Sequence, residues 1–462
     1  MRNTIALLLC ASILGSCSAT SGFQPGPEVA VTPNFKQATR KPGTTIAPST
    51  QWWANFGDAN LNRLVEEALA QNLTVELARE RVRAARLSAK VSKGAYYPSI
   101  TASYSDTRSG TRVNGKTTNT SSKSAGLNGS WTLDFLGGKS TADREAAKIE
   151  AQKEALNGAR LDIIASMVTA YLNAQGIGQQ LAISRKSLSV QKETLGITRA
   201  KLEAGSASAL DSTRAAAQTA LTSADIPSLQ ESREQAINQI ALLLGKQPAE
   251  LNNVFTEYKP LKRPKVRFSE GVPADLLRNR PDIREAERTL AAAVADIGVA
   301  EADLLPSLSL SGSLKLSGSD LATKSWSFGP AINLPIFNRG TLKASVDLAK
   351  SSARQDYLTY RETVIAAVGE VEDALVALKY ERDRNGKLAV AVSELRKAEA
   401  LARQLYTSGS AEFSDVLDAQ DSLYSAELQL ASSSLQLAVN YVVLCQALGG
   451  GWDGDEPVKN ES

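Results

Sequence analysis

Histidine is absent from the 462-residue chain, and this limits the chemistry that the remaining residues can do. Without histidine there is no Ser-His-Asp or Cys-His catalysis and no His-ligated metal site. The Gly-Gly-Lys-Ser sequence at 137–140 resembles the end of a phosphate-binding loop, but the glycine that this motif needs at position 133 is Leu133. Adjacent carboxylates such as Glu66 and Glu67 lie in helical stretches, where a solvated face is the usual explanation. We therefore predict that the protein is not an enzyme and has no metal or other dissociable cofactor.

The charged residues nearly balance, because 52 Lys and Arg stand against 49 Asp and Glu, a formal net charge of +3. No Lys/Arg-rich run is evident along the chain. Proteins that bind nucleic acids electrostatically carry a strong basic stripe, so we predict no nucleic-acid partner.

The N-terminus is typical of an export signal, with Arg2 followed by an apolar stretch at 5–14. The Leu-Gly-Ser-Cys sequence at 14–17 resembles the lipobox of bacterial lipoproteins. It predicts a signal peptide over 1–16 and a covalent lipid on Cys17. The alternative is an ordinary signal peptide in which Cys17 is incidental. Cys445 then has no disulfide partner, and its apolar neighbours predict a small buried side chain.

The mature chain follows one plan twice. Pro98 matches Pro306 at an offset of 208, and Gly205 matches Gly409 at an offset of 204. An offset this long indicates a duplicated half rather than a solenoid unit. The predicted organisation is a Pro-rich tether over 17–55, repeats over 56–270 and 271–448, and a tail over 449–462.

Four segments alternate apolar and hydroxyl-bearing residues with the period of two that marks a β-strand. They form two predicted hairpins, at about 97–136 and about 306–337. Each strand has about the ~9–11 residues that cross a bilayer, with one apolar face and one face rich in Ser and Thr. A soluble antiparallel sheet is the alternative, but the export signal favours a membrane β-barrel. Known barrels need at least about eight strands and leave no open edge, so the sequence predicts an oligomer.

Between the hairpins the chain is rich in good helix formers. Long helical hairpins are predicted at about 139–244 and about 340–448, with turns at the two glycines of the 204 offset. A helix over 139–202 would span on the order of 95 Å. Residues in heptad spacing predict where these helices pack side by side. They are Met167, Ala174, Leu181, Leu188, Leu195 and Leu202 in the first repeat and Leu423, Leu430, Leu437 and Leu444 in the second.

The chain resembles the outer-membrane efflux channels of the TolC superfamily, in particular the lipid-anchored OprM-like branch. The residues that carry the resemblance follow the family's order over nearly the whole mature chain. They are Trp52, Trp53, Phe56, Asp58 and Leu61, the stretch 131–138, Arg-Pro-Asp-Ile at 280–283, Leu-Pro-Ser-Leu at 305–308, Leu-Pro-Ile-Phe at 334–337 and Ala-Leu-Gly-Gly-Gly-Trp at 447–452.

The resemblance implies a mainly α fold with a membrane β-barrel. In that fold, three identical subunits give four strands each to a twelve-stranded barrel above a periplasmic barrel of helices. It also implies a position in the outer membrane, in contact with its lipid, and docking on a periplasmic membrane-fusion adaptor and an inner-membrane pump, most often of the RND type. The protein would be a passive exit channel of a tripartite efflux system.

The resemblance further implies that the periplasmic end is closed by helix turns whose carboxylates ring the aperture. The matching residues here are Asp415 and Asp418, with Asp211 in the first repeat, and Tyr406 matches a closing contact before the second turn. Helix capping is an alternative role for Asp211 and Asp415. Some relatives have a bulky apolar gate residue where this chain has Ser414, which leaves a second apolar constriction unsupported.

Two alternatives remain at this point. Within channels, the protein could serve a type I protein secretion system instead of an efflux pump. In another class, it could be a trimeric coiled-coil lipoprotein that forms no channel. Conductance in planar bilayers discriminates between a channel and a spacer.

Overall fold

A computed structural model describes Gly26, Phe35 and residues 50–133, 137–251 and 279–451. These residues are mainly helical and contain one four-stranded sheet. The predicted signal peptide, Cys17, most of the predicted tether and residues 452–462 lie outside the described part.

The helices follow the duplicated plan, since each repeat has short helical segments, a very long helix, a glycine turn and a returning helix. A 3₁₀ helix at Trp52–Phe56 precedes the first repeat, and another at Pro248–Leu251 follows its last helix. The α-helices are α1 (Ala59–Gln71), α2 (Leu73–Gly94), α3 (Gly138–Glu203), α4 (Ala209–Leu243), α5 (Pro281–Ala302), α6 (Arg339–Ser408) and α7 (Phe413–Ala447).

The strands form an antiparallel meander in the order β1-β2-β3-β4. They are β1 (Ser99–Val113), β2 (Lys116–Leu133), β3 (Ser307–Gly318) and β4 (Thr323–Asn333). At 15 and 18 residues, β1 and β2 are longer than the predicted ~9–11. They stay paired as far as Val113 and Lys116 because Asn114 and Gly115 have positive φ of 51° and 79°, the geometry of a tight hairpin turn. The Asn-Gly pair is the sequence signal that predicts this turn.

The chain divides into two compact units. One contains the sheet and the helical parts of Arg79–Ala155 and Asp282–Thr363, together with Gly26. The other contains the described residues of Ala30–Ala78, Leu156–Pro281 and Val364–Ser462. In the sheet unit, Trp131 on β2 donates its indole N–H to the Tyr96 carbonyl at 2.9 Å. Arg144 on α3 pairs with Asp296 on α5 at 3.0 Å.

The core of the helical unit gathers around the N-terminal 3₁₀ helix and the end of α7. Trp52 is 1% exposed and donates its indole N–H to the Gly450 carbonyl at 3.1 Å. Tyr441 packs edge-on against Trp52 and Phe56. Its hydroxyl accepts a hydrogen bond from Asn55 at 3.0 Å. Buried aromatic rings with satisfied polar atoms make this a rigid core.

In each repeat, a side chain near the start donates a hydrogen bond to a backbone carbonyl at the end of the returning helix. In the first, buried Asn72 donates its side-chain N–H to the Leu243 carbonyl at the end of α4, at 2.8 Å. In the second, Arg280 donates to the Ala447 carbonyl at the end of α7, at 2.9 Å. These donors are 208 residues apart and the acceptors 204, so the duplication seen in the sequence is preserved in the contacts. The second contact is charged, because Arg280 also pairs with Glu370 at 2.7 Å.

Removing either donor is expected to destabilise the helical unit. Asn72→Ala and Arg280→Ala each leave a buried carbonyl unpaired, which costs about 1–3 kcal/mol. Both should lower the apparent melting temperature of the purified protein. Glu370→Gln is the control, since Glu370 is 57% exposed and an exposed ion pair contributes only about 0–1 kcal/mol. Equal losses from Arg280→Ala and Glu370→Gln would show that the carbonyl contact contributes little.

The predicted heptad core is correct in only part of α3. Met167, Ala174 and Leu181 are buried, but Leu188 and the later leucines of the pattern are only half-buried. From residue 184 onward, buried residues still recur every seven positions, but they lie three residues after the predicted leucines and are polar. They are Ser184, Gln191 and Thr198. Three residues correspond to a rotation of about 60° around the helix, so a different side of α3 faces its neighbours near the turn.

The heptad prediction for α7 is correct at Leu444, which is fully buried, and is displaced by one residue at the three earlier positions. The leucines at 423, 430 and 437 are half-buried, while Tyr424, Ala431, Ala438 and Cys445 are buried. Cys445 is fully buried as predicted, and desolvation raises the pKa of its thiol to about 12. Small residues in the seam allow close helix approach.

One helix in the described part of the chain, α7, is long and apolar enough to cross a membrane, and 44% of its most apolar window is buried within the protein. Core helices pass the same test, and the polar side chains of α7 described below pack against other helices.

Candidate functional site: a two-faced sheet and the helix turns

The sheet has one apolar face and one hydroxyl-bearing face. Cross-strand pairing places apolar side chains in rows, one of which is Ala102, Leu127, Leu314 and Trp326. The adjacent row consists of polar residues, Thr101, Asn128, Ser313 and Ser327. Since neighbouring residues of a strand point to opposite faces, these two rows lie on opposite sides of the sheet.

The two faces suit different solvents. On the apolar face, Trp326 is 78% exposed and Phe328 is 71% exposed, which is unusual for large apolar side chains in water. On the other face, serine hydroxyls pair across strands. Their oxygen–oxygen distances are 2.8 Å for Ser99–Ser130 and Ser105–Ser124 and 2.9 Å for Ser313–Ser327. The arrangement fits a sheet between hydrocarbon and water.

Each long helical hairpin reverses direction at a glycine. Gly205 and Gly409 have φ of 72° and 79°, a left-handed conformation that glycine adopts without strain. In both turns the next residue donates its backbone N–H back into the last helical turn, Ser206 to Lys201 and Ser410 to Leu405, each at 2.8 Å. These contacts satisfy carbonyls at the helix end.

Asp211 and Asp415 occupy equivalent places in capping boxes at the starts of α4 and α7. Asp211 accepts the backbone N–H of Ser208 at 3.2 Å, and Ser208 accepts the N–H of Asp211 at 3.1 Å. Asp415 accepts the N–H of Glu412 at 3.2 Å. Both carboxylates therefore stabilise helix starts, three positions inside the cap residue.

Tyr406 lies where the ends of all four long helices meet. Its ring is 8% exposed and packs with Ala215 of α4 and with Phe413 and Val416 of α7. From α3, Lys201 donates its ammonium to the Tyr406 carbonyl at 2.7 Å and lies 3.9 Å from the ring centroid. The Tyr406 hydroxyl is buried without a partner in the described part of the chain.

Asp418 differs from the other carboxylates. It is exposed, and its oxygens make no hydrogen bond or ion pair within the described residues. Likewise, no contact links Asp418 to Asp211 or Asp415 in that part of the chain. Its position one turn inside α7 means that capping does not explain it.

Behind the turns, the helices meet through polar side chains. Tyr424 donates its hydroxyl to Asp225 of α4 at 3.0 Å and lies 2.9 Å from the Ser184 hydroxyl of α3. Burial raises the pKa of Tyr424, and the Asp225 carboxylate raises it further against the opposing hydrogen bond with Ser184, which keeps the phenol protonated as a donor. Gln420 donates to the Thr194 hydroxyl at 3.0 Å.

A cavity of about 210 Å³ adjoins these residues, between α3, α6 and α7. It is lined by Gln191, which is 3% exposed and whose amide atoms have no partner in the described ranges. The Glu399 Oε1 atom on α6 is also buried without one. A polar space of this size has room for several water molecules at about 30 Å³ each. Behind the apolar cluster around Tyr406, this part of the helical unit therefore has a polar core.

Sequence reasoning missed three participants in this region. Ser208 and Glu412 each stand three residues before an aspartate, and that capping-box spacing is a signal that could have identified them. Lys201 carries no local signal, because only the folded hairpins bring it to Tyr406. Cys17 lies outside the described residues. Among those that are described, no three Cys, Asp or Glu side chains converge as a potential metal site.

Comparison with known proteins finds the same two repeats. The profile of the family described as "Outer membrane efflux protein" matches residues 64–246 and 272–450. Nodulation protein T of Rhizobium leguminosarum bv. viciae is 35% identical over 452 residues, which cover 95% of this chain and 92% of that protein. The cation efflux system protein CusC of Escherichia coli O6:H1 is 31% identical, over 87% of this chain and 88% of that protein.

The fold is also similar to solved structures. The outer-membrane channel OprN superposes with a TM-score of 0.84 at 32% identity, covering 93% of this chain and 99% of that one. The mainly helical architecture with its small sheet is therefore that of an established group of outer-membrane channels.

Proposed function

Because this chain belongs to the outer membrane efflux protein family, we propose that it is the passive exit channel of a tripartite efflux system. The family's members are channels in the outer membrane rather than enzymes. The observation that carries the proposal is the two-faced sheet, whose hydroxyl-bearing side can line a water-filled pore while its apolar side faces lipid. This sheet also favours a channel over a coiled-coil spacer.

The channel is a homotrimer. The meander leaves β1 and β4 with unpaired edges, and a bilayer contains no water to satisfy them. Four strands are too few to close a barrel, whereas three copies give twelve, which lies within the known range. In each copy, β4 would pair with β1 of the next.

Transport energy comes from partners. A water-filled pore has no means of its own to drive transport. An inner-membrane pump, most consistent with the RND type, supplies the energy and delivers the cargo through a periplasmic adaptor. Relatives of similar identity carry names that refer to nodulation and to cation efflux. This favours an efflux role with cargo chosen by the pump over protein secretion.

The helix turns form the periplasmic gate. Asp418, with Asp415 beside it, is placed at the tip of each copy and would form a ring of carboxylates around the aperture, which attracts cations. Asp211 holds the start of α4 at the same end. Tyr406 and Lys201 hold the four helix ends together and would keep the tips closed.

Loss of the lysine contact should loosen this closure. Lys201→Met keeps an apolar stem of similar length but removes the hydrogen bond and the cation–π contact, so we expect a several-fold higher closed-state conductance. Tyr406→Phe is the control, because it keeps the ring and removes only a hydroxyl that has no partner in the described residues. Its closed state should conduct like the wild type. If both variants conducted alike, the lysine contact would have no closing role.

A lipid on Cys17 would anchor the mature N-terminus. Support comes from the lipobox-like sequence at 14–17, which precedes a Pro-rich stretch of the length a tether needs.

Single-channel recording in planar bilayers tests the proposed function. The purified trimer should produce stable conductance steps, and the steps should scale with salt concentration as in a water-filled pore. A folded, β-containing trimer that inserts into bilayers and conducts no ions would refute the proposal.

A further inference from the structure

Gly26 lies against α6 in the sheet unit, and only glycine fits there. A Cβ added at this position would overlap two ring carbons of Tyr357 and lie 2.7 Å from the Arg354 Nη1 atom. The Tyr357 ring is 4% exposed, and the Arg354 guanidinium carbon lies 5.0 Å from its centroid. The buried Tyr357 ring would therefore have to leave its packing to admit a larger side chain, whereas the exposed Arg354 guanidinium is the flexible end of a long side chain.

We propose that Tyr357 and Arg354 form a binding site for the chain's own N-terminal segment. The site holds Gly26 and so sets how far a lipid on Cys17 can lie from the strand ends. This inference rests on the acylation of Cys17 proposed above.

The sequence around Gly26 suits a fixed contact. Pro25 and Pro27 flank the glycine, and prolines restrict the unbound chain, so less conformational entropy is lost when the segment binds. The residue before a proline also avoids the helical region, so helix formation does not compete at Gly26, where the chain bends. A Pro-Gly-Pro sequence thus combines a stiff chain with the one side chain small enough for the site.

The reach of the chain between Cys17 and Gly26 matches the distance along α6 from Tyr357 back to the strand ends. Gly26 is nine positions after Cys17, and nine extended residues span at most about 31 Å. Tyr357 lies 18 residues after Arg339, where α6 begins shortly after the end of β4, and 18 helical residues rise about 27 Å. The segment is therefore just long enough to bring Cys17 from the Tyr357 site to the level of the strand ends, where the membrane surface would lie.

Limited proteolysis of the full-length trimer in lipid nanodiscs tests the site. Phe23 lies three residues before Gly26, and chymotrypsin must bind several extended residues on both sides of the bond that it cuts. The contact at Gly26 should therefore protect this bond. Mass spectrometry of the released 17–23 peptide measures the rate.

We expect Tyr357→Ala to raise cleavage after Phe23 by about tenfold, while Tyr357→Phe, which keeps the ring, cleaves at the wild-type rate. For Gly26→Val, the cleavage rate is divided by the rate for a synthetic peptide with the same substitution, which removes any effect of the valine on the protease itself. This normalised rate should show the same increase. This variant also keeps the test valid if Tyr357→Ala fails to assemble. Wild-type protection in both Tyr357→Ala and Gly26→Val would overturn the site.

The spacing has its own test. Deletion of residues 18–21 places Gly26 only five positions after Cys17, and five extended residues reach at most about 17 Å. A lipid held in the membrane should then pull Gly26 from its site, so the deletion variant should be cleaved as fast as Tyr357→Ala. Full protection of the deletion variant would refute the spacing role. The mass of the released peptide separately reports whether Cys17 is acylated, so a failure of acylation is distinguishable from a failure of the site.

Discussion

Leu314→Arg is expected to abolish assembly of the membrane-inserted trimer. Leu314 lies near the middle of β3 on the apolar face, between Leu127 and Trp326, and is 58% exposed. An arginine at the bilayer midplane of a barrel costs about 2–4 kcal/mol, and each trimer would contain three. The loss should appear as missing SDS-resistant trimer on unheated gels.

Ser313→Arg is the matched control, because it introduces the same side chain one residue away on the hydroxyl-bearing face. There the charge would enter water, so assembly should persist. Three added cations in the pore should instead lower conductance and shift selectivity toward anions. Equal assembly defects in the two variants would contradict the assignment of the faces.

The second large effect is expected at the gate. Asp415→Asn combined with Asp418→Asn removes six carboxylates from the proposed trimeric aperture without changing side-chain volume. Reversal potentials in a salt gradient should then show a cation-to-anion permeability ratio close to one. Glu394→Gln is the control, since it neutralises an exposed carboxylate of the same helical unit that pairs with Lys397 before the second turn.

The single variants separate two roles. Asp418 has no partner in the described residues, so Asp418→Asn should reduce selectivity and leave the melting temperature unchanged. Asp415 belongs to a capping box, so Asp415→Ala should also cost about 1 kcal/mol at the start of α7. If the double variant kept its cation preference, the carboxylates would serve only as helix-end stabilisers.

Local patterns predicted the elements well, and longer-range contacts less well. Alternation identified all four strands, because period two leaves a direct mark on composition. The alternation itself stops short of the outer half of the first hairpin, where residues 105–112 are polar or glycine on both faces, although the predicted bounds of about 97–136 include it. The glycine turns were also predictable, since a left-handed backbone leaves few residue choices.

Helix packing was harder to predict. The leucine heptad in α3 suggested an apolar seam that continues to the turn, yet the buried positions become Ser184, Gln191 and Thr198. Of these, Ser184 pairs with Tyr424 of α7, Thr198 donates to the Thr194 carbonyl of its own helix, and Gln191 lines the cavity between α3, α6 and α7. No stretch of sequence read alone contains that information. The same is true of Lys201, whose role depends on Tyr406 some 200 residues away.

The polar core near the turns has a calorimetric consequence. Hydration of apolar surface raises the heat capacity by about 0.45 cal/K/mol per Å², whereas hydration of polar surface lowers it by about 0.26. Helices that separate beyond Leu181 would expose the hydroxyl and amide groups of this core together with the apolar cluster around Tyr406. The polar contribution then offsets part of the apolar one, so the enthalpy of opening changes less with temperature than it would for an apolar seam of the same area. The van't Hoff line of channel opening would therefore curve less than the stability curve of the apolar core that holds the other end of the helices.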